Sequence, residues 1–250
     1  MKSKTAGIRI VAASVPGILH TRSNLPCQDY FKHARGRNFV AVVSDGAGSA
    51  KFGKIGARIA CDTLCDLLKN APWPQIRDQV VHAVRISRAK LCRHRFNKTK
   101  DEHGLADFGA TLIGMVYRGG KGMFFHIGDG AGIAFLDDRH DEFVASRPEN
   151  GSFACETFFY TQQAWLENLR FLDFENAKSV FLMSDGVSSF SFSPDFLKIE
   201  KGFTAPINRY LANEPCKQKA LRALNNTLNM PKAQRINSDD KTLVWIGLAE

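Results

Sequence analysis

Three apolar runs in this chain end in Asp-Gly: VAVVSDG from Val40 to Gly46, FFHIGDG from Phe124 to Gly130, and VFLMSDG from Val180 to Gly186. A fourth acidic element, SDDKT from Ser238 to Thr242, leads directly into the apolar run LVWIGLA. Short runs rich in Val, Phe and Ile read as buried strands, so each pushes a carboxylate out of one end of a sheet. Carboxylates gathered there repel one another unless a cation sits between them. Oxygen donors with no His or Cys beside them suit a hard ion such as Mg²⁺ or Mn²⁺. The chemistry that follows is metal-dependent hydrolysis. Asp-Gly after a strand is also a common hairpin turn, and any single copy has that simpler reading. Repetition weighs against turns alone.

The elements that must position these residues follow from periodicity. Strands are expected over 8–15, 39–44, 110–117, 122–127, 132–136, 179–184 and 243–248. Helical spacing of apolar residues marks 53–69 and 74–96, and further helices are expected over 206–212 and 216–229. Residues 138–176 are less regular and aromatic-rich, as an insertion or flap would be. Strands in meander order with helices in pairs predict an α+β domain rather than alternating βαβ.

Composition narrows the class. At 250 residues, 44% hydrophobic and 24% charged, the chain can build one substantial core, and a single domain over 1–250 is expected. No apolar stretch is long enough to span a bilayer. The N-terminal MKSKTAGIRIVAASVPG has a signal-peptide look, but Arg9 interrupts its apolar part and Pro16-Gly17 breaks it. A strand and a cytoplasmic location are expected instead. Six cysteines (Cys27, Cys61, Cys65, Cys92, Cys155 and Cys216) form no C-x-x-C pair, which predicts reduced, mostly buried thiols rather than a zinc site. The net charge is +9. Much of it lies in Arg85, Arg88, Lys90, Arg93, Arg95, Lys98 and Lys100, either a solvated helix face or a nucleic-acid-binding one. Few stacking aromatics interleave the run, which weakens the second reading.

In order along the chain stand Pro26-Cys27-Gln28-Asp29, Ser44-Asp45-Gly46-Ala47-Gly48, Gly109-Ala110-Thr111-Leu112, Gly128-Asp129-Gly130, Met183-Ser184-Asp185-Gly186 and Asp239-Asp240-Lys241-Thr242. This succession resembles the metal-dependent protein phosphatases of type 2C, the PPM family, in its bacterial branch, over nearly the whole chain. The resemblance implies two stacked antiparallel β-sheets flanked by paired helices, an α-β-β-α sandwich. It implies hydrolysis of phosphoserine or phosphothreonine in proteins with two Mn²⁺ or Mg²⁺ ions and room for a third. Asp45 would bridge the two ions, with the Gly46 carbonyl as a further ligand. Asp185 and Asp239 would complete one shell, and Asp29 would serve the other through water. Asp129, with Asp185, would help hold the third ion. Asp45, Asp185 and Asp239 would thus carry the catalysis. A hydroxide shared by two cations about 3.5–4 Å apart would attack phosphorus in line.

Two positions depart from the family pattern. Where many members carry a proton-donating His after Asp-Gly, this chain has Ala47; water, His126 or His20 could substitute. Where many carry a phosphate-binding Arg, it has Asn24, and the nearby Arg22 is the candidate replacement. A cysteine-dependent phosphatase is also testable, because Cys216 and Arg222 satisfy C-x-x-x-x-x-R. The intervening KQKAL lacks glycine and reads as helix, not as a phosphate cradle. Expected partners are a phosphorylated protein and a cognate Ser/Thr kinase or its targets, with the chain a monomer. The alternatives are a catalytically inactive binding relative, or a nucleic-acid binder acting through 85–100.

Overall fold

The computed structural model describes residues 7–98, 104–149 and 157–248. Its strands are β1 (Ile8–Val15), β2 (Tyr30–Arg35), β3 (Phe39–Ser44), β4 (Leu112–Arg118), β5 (Lys121–Ile127), β6 (Ala131–Phe135), β7 (Phe143–Ser146), β8 (Arg170–Glu175), β9 (Ser179–Met183) and β10 (Lys241–Leu248). They form two five-stranded antiparallel sheets, β1-β10-β9-β6-β7 and β2-β3-β4-β5-β8. The helices are α1 (Ile18–Arg22), α2 (Gly53–Leu68), α3 (Ile76–Lys98), α4 (Asp185–Ser191), α5 (Lys201–Asn213), α6 (Lys217–Leu228) and α7 (Pro231–Ile236).

Residue alternation explains the layers. Phe39, Ala41 and Val43 of β3 pack between the sheets with Val180, Leu182, Val244 and Ile246. Val40 and Val42, pointing the other way, pack on α2 and α3, because successive side chains leave a strand on opposite faces. Both faces of β3 are therefore covered, which is why its sequence is apolar throughout. On α2, Ala57, Ala60, Cys61, Leu64, Cys65 and Leu68 are buried, the three-and-four spacing of one helical face. The opposite sheet turns Ile133, Phe181, Met183 and Leu243 toward Leu211, Ala220, Leu224 and Leu228 of α5 and α6. The expected sandwich is the observed one, with helices outside both sheets.

The stretch 138–176 is more regular than its sequence suggests. It supplies β7 and β8, an edge strand to each sheet. Edge strands are half-solvated, so the apolar signal is weak; the same reason hid β2, whose residues are mostly half-buried or exposed. Helix α5 starts before Pro206, the expected first position, and carries that proline inside, without an N–H for the Gly202 carbonyl. Among the described aromatics of the stretch, Phe158, Trp165, Phe171 and Phe174 pack against the core, and Tyr160 is fully buried and donates its hydroxyl to the Gly56 carbonyl of α2 at 2.8 Å. Tyr160→Phe is expected to cost about 1 kcal/mol, seen as a fall in Tm of roughly 2–4 °C; an unchanged Tm would show that the bond adds nothing. Among the described residues, no helix is long and apolar enough to cross a membrane.

Candidate active site

Strand register, more than any local signal, gathers the acidic residues. Tyr30 pairs with Ser44, so Asp29, just before β2, lies beside Asp45, just after β3. Met183 pairs with Leu243 on one side and Ala131 on the other. Asp185, at the start of α4, is therefore flanked by Asp239 before β10 and Asp129 before β6. Five carboxylates from both sheets thus converge at one end of the sandwich.

Hydroxyl groups hold them there. Asp45 N donates to Thr111 Oγ1 at 3.1 Å and Thr111 N returns a bond to the Asp45 carbonyl at 2.9 Å. Ser44 Oγ donates to the Thr111 carbonyl at 2.5 Å. The Gly109-Ala110-Thr111 element thereby clamps the Asp45 turn. Ser184 Oγ donates to Asp29 Oδ2 at 2.7 Å and accepts from Thr242 N at 2.9 Å. Thr157 Oγ1 donates to Asp129 Oδ2 at 2.7 Å. The Glu149 amide meets the Gly128 carbonyl at 3.0 Å, so residues on either side of 150–156 are anchored next to Asp129.

The electrostatics are those of crowded like charges. Burial pushes the Asp45 carboxyl well up, and the neighbouring Asp29 and Asp185 charges push it further. Burial lifts Asp185 to about 7, with help from Asp129 and Asp239. Asp29 rises to about 6 through burial, although the Ser184 hydroxyl works against the shift. Asp129 is raised by burial too, opposed by Thr157. Lys241, whose side chain is buried, donates to the Asp239 carbonyl at 2.7 Å and to Gln234 Oε1 at 3.2 Å; its ammonium bonds none of the five carboxylates.

This donor set fits divalent cations. Asp29 Oδ1 and Asp185 Oδ1 are buried with no hydrogen-bond partner, and a buried ionised oxygen without a partner is costly unless a cation takes that place. Among the described residues, no three His, Cys, Asp or Glu side chains close into a ready-made ligand cage. An open set is what a small hard ion that keeps several of its waters uses, so the orphaned oxygens outweigh the lack of a cage.

Other expected residues fall in different places. Arg22 is exposed in the last turn of α1 and, among the described residues, bonds none of the carboxylates. Asn24 has φ of 55°, a left-handed backbone that ends α1 and that Asn tolerates better than Arg. His126 is fully buried, with Nδ1 2.9 Å from Ser146 Oγ. His20 Nδ1 lies 2.8 Å from Asp240 Oδ1. Asp240 lies beside the cluster, where its charge adds to the rise of Asp29. It is buried and accepts from Gly17 N at 2.7 Å and Gln28 N at 2.5 Å. Thr157 and this clamping role of Asp240 went unread in the sequence. The doubled Asp at a strand start was a signal for Asp240, whereas nothing local marks Thr157.

Cys216 is exposed and immediately precedes α6, which contains the KQKAL segment, so no phosphate cradle forms there. Cys61 and Cys65 are buried, and Cys27 and Cys92 half-buried; Cys155 lies outside the described residues. Two cations of the basic run serve the fold: Arg88 donates to the Tyr160 and Gln162 carbonyls, each at 2.8 Å, and Lys90 to Thr63 Oγ1 at 3.0 Å. Lys100 lies outside the described residues.

The model of the protein phosphatase 2C family matches residues 17–229. A relative from Escherichia coli (strain K12), serine/threonine-protein phosphatase 3, is 25% identical over 258 residues, spanning 97% of this chain and 99% of its own. The crystal structure of serine/threonine phosphatase Stp1 from Staphylococcus aureus superposes with a TM-score of 0.69 at 12% identity, covering 100% of this chain and 98% of that one. The catalytic domain of serine threonine protein phosphatase PstP in complex with two manganese ions gives 0.65 at 17% identity, covering 98% and 99%. At these identities the two structures show a shared fold.

Proposed function

Since this chain belongs to the protein phosphatase 2C family, we propose that it hydrolyses phosphoserine and phosphothreonine in proteins with the help of Mn²⁺ or Mg²⁺. The observation that carries this reading is the convergence of Asp29, Asp45, Asp129, Asp185 and Asp239, with buried oxygens of Asp29 and Asp185 left without partners. Asp45, Asp185 and Asp239 would hold one cation. Asp45, the Gly46 carbonyl and Asp29 would hold a second, and Asp129 with Asp185 a weaker third. Bound there, the cations would lower the pKa of water and offset charge on the phosphoryl oxygens.

The chain's own groups do the rest. Thr111 fixes the Asp45 backbone, and Ser184 and Thr157 orient the Asp29 and Asp129 carboxylates, so little reorganisation is needed as charge develops. The exposed side of Asp239 leaves the site open to a substrate as large as a protein. The stretch 138–176, tied to Asp129 through Thr157, would select among phosphoproteins, and the partner kinase would be the one that phosphorylates them. The whole chain would act as one domain and as a monomer in the cytoplasm. Arg22, exposed in the last turn of α1, would meet an incoming phosphate.

Hydrolysis of p-nitrophenyl phosphate and a phosphothreonine peptide tests the reading. Turnover should require Mn²⁺ or Mg²⁺, vanish in EDTA and in Asp185→Asn, and persist in Cys216→Ser. Turnover that survives EDTA but dies with Cys216 would mean the reading is wrong.

A further inference from the structure

We propose that His20, oriented by Asp240, is the catalytic proton donor to the departing seryl or threonyl oxygen; this rests on the phosphatase reading above. The need is chemical. A seryl or threonyl alkoxide is a strong base and a poor leaving group unless protonated as the P–O bond breaks. Ala47 has no proton to give.

Four observations tie His20 to the framework of the site and motivate the assignment. Its Nδ1 faces Asp240 Oδ1 at 2.8 Å, with side-chain exposures of 15% for His20 and 1% for Asp240. A carboxylate on one ring nitrogen selects the tautomer, steadies the imidazolium and leaves Nε2 to act on a ligand. The same Asp240 accepts from Gln28 N at 2.5 Å. With its amide nitrogen turned inward, Gln28 donates to the carbonyls of Gly46 and Ala47 at 3.0 and 3.1 Å, so His20 is linked to the loop of Ala47. Finally, a Cβ on Gly17 would come 2.2 Å from the Ser238 carbonyl oxygen and 2.4 Å from the Asp239 carbonyl carbon. Only glycine lets α1 lie this close to the segment carrying Asp239.

The other described histidines lack this setting. His126 is enclosed between Ser146 and Arg170. His140 is buried, with its ring stacked on Phe135 at 3.6 Å. His94 lies edge-on to Phe108. His33 and His82 sit on β2 and α3, and neither pairs with a carboxylate among the described residues.

In the step itself, the attacking water oxygen bonds to phosphorus and gives its proton to solvent. The P–O bond to the side chain breaks, its electron pair goes to that oxygen, and the oxygen takes the proton from His20 Nε2. Phosphate and a free hydroxyl leave. His20 regains a proton at Nε2 from solvent while Nδ1 stays paired with Asp240.

The test compares wild type, His20→Gln and Asp240→Asn with saturating Mn²⁺. The substrates are a phosphothreonine peptide and a series of substituted phenyl phosphates that includes p-nitrophenyl phosphate. p-Nitrophenolate leaves without protonation, so its turnover also reports that each variant is folded. His20→Gln should lose roughly 10²–10³-fold in kcat on the peptide and far less on p-nitrophenyl phosphate. Its rates should fall more steeply than wild type as the leaving group becomes more basic. Asp240→Asn should show the same selectivity with a smaller loss. Parallel losses on all substrates, or a change confined to KM, would overturn the assignment and leave the phosphatase reading standing. Absence of wild-type turnover would sink both.

Discussion

Asp45→Asn should reduce phosphatase turnover by roughly 10³-fold, at or beyond the upper end of what one preorganised electrostatic group contributes, and yet make the metal-free protein more stable. The activity loss follows from position: Asp45 sits between Asp29 and Asp185, whose charges both act on it, so one residue serves two proposed cation positions. The stability gain has the same origin. A neutral amide of equal size removes one of several mutually repelling, buried charges. If the gain is ~1–2 kcal/mol, Tm rises by roughly 2–8 °C in a chain of this size.

The pH dependence has a definite sign. In the metal-free protein Asp185 is raised from 3.8 to about 7, so between those values the folded state binds more protons than the unfolded one. Stability is then greatest at the acidic end and falls as pH rises toward 7. Asp45→Asn should flatten this fall, because it removes the Asp45 carboxyl, which burial and the Asp29 and Asp185 charges also raise, and added Mn²⁺ should reverse it in wild type only. Thermal denaturation in EDTA across pH 4.5–7.5 reads both effects. Equal slopes for the two proteins would contradict the repulsion on which the cation argument rests.

Asp240→Ala is expected to be the most destabilising substitution near the site without removing a proposed metal ligand. Its carboxylate, 1% exposed, accepts from Gly17 N, His20 Nδ1 and Gln28 N at 2.7, 2.8 and 2.5 Å. Alanine would strand two backbone donors and free the loop between β1 and β2. Each buried donor left without a partner costs about 1–3 kcal/mol, so the two together cost about 2–6 kcal/mol, and at this chain length that is a fall in Tm of roughly 4–24 °C. Because Gln28 precedes Asp29, the Mn²⁺ concentration needed for half-maximal activity should rise as well. A change in Tm under about 3 °C would show that the clamp is dispensable.

The central strands were legible before the structure because their evidence is local. Runs such as Val40–Val43 and Val180–Met183 are apolar throughout, and only a strand covered on both faces calls for that. The edge strands β2, β7 and β8 were not legible: a half-solvated strand may carry Lys32, Arg35 or Asp173 without cost, so its pattern fades into that of a loop.

The carboxylates divide in the same way. Residue type and order along the chain were enough to name Asp29, Asp45, Asp129, Asp185 and Asp239 as a set, since each stands at the end of an apolar run or within a recurring motif. Which oxygens are satisfied, and by what, was a tertiary matter. Gly17 and Asp240 are 223 residues apart and His20 and Asp240 220 apart, while Thr157 reaches Asp129 across 28 residues. A hydrogen bond needs its two atoms within about 3 Å, and no spacing in a linear sequence specifies that for residues so far apart along the chain. The chemistry that the acidic groups could do was written in their types; the register of two sheets decided which of them meet and which histidine stands beside them.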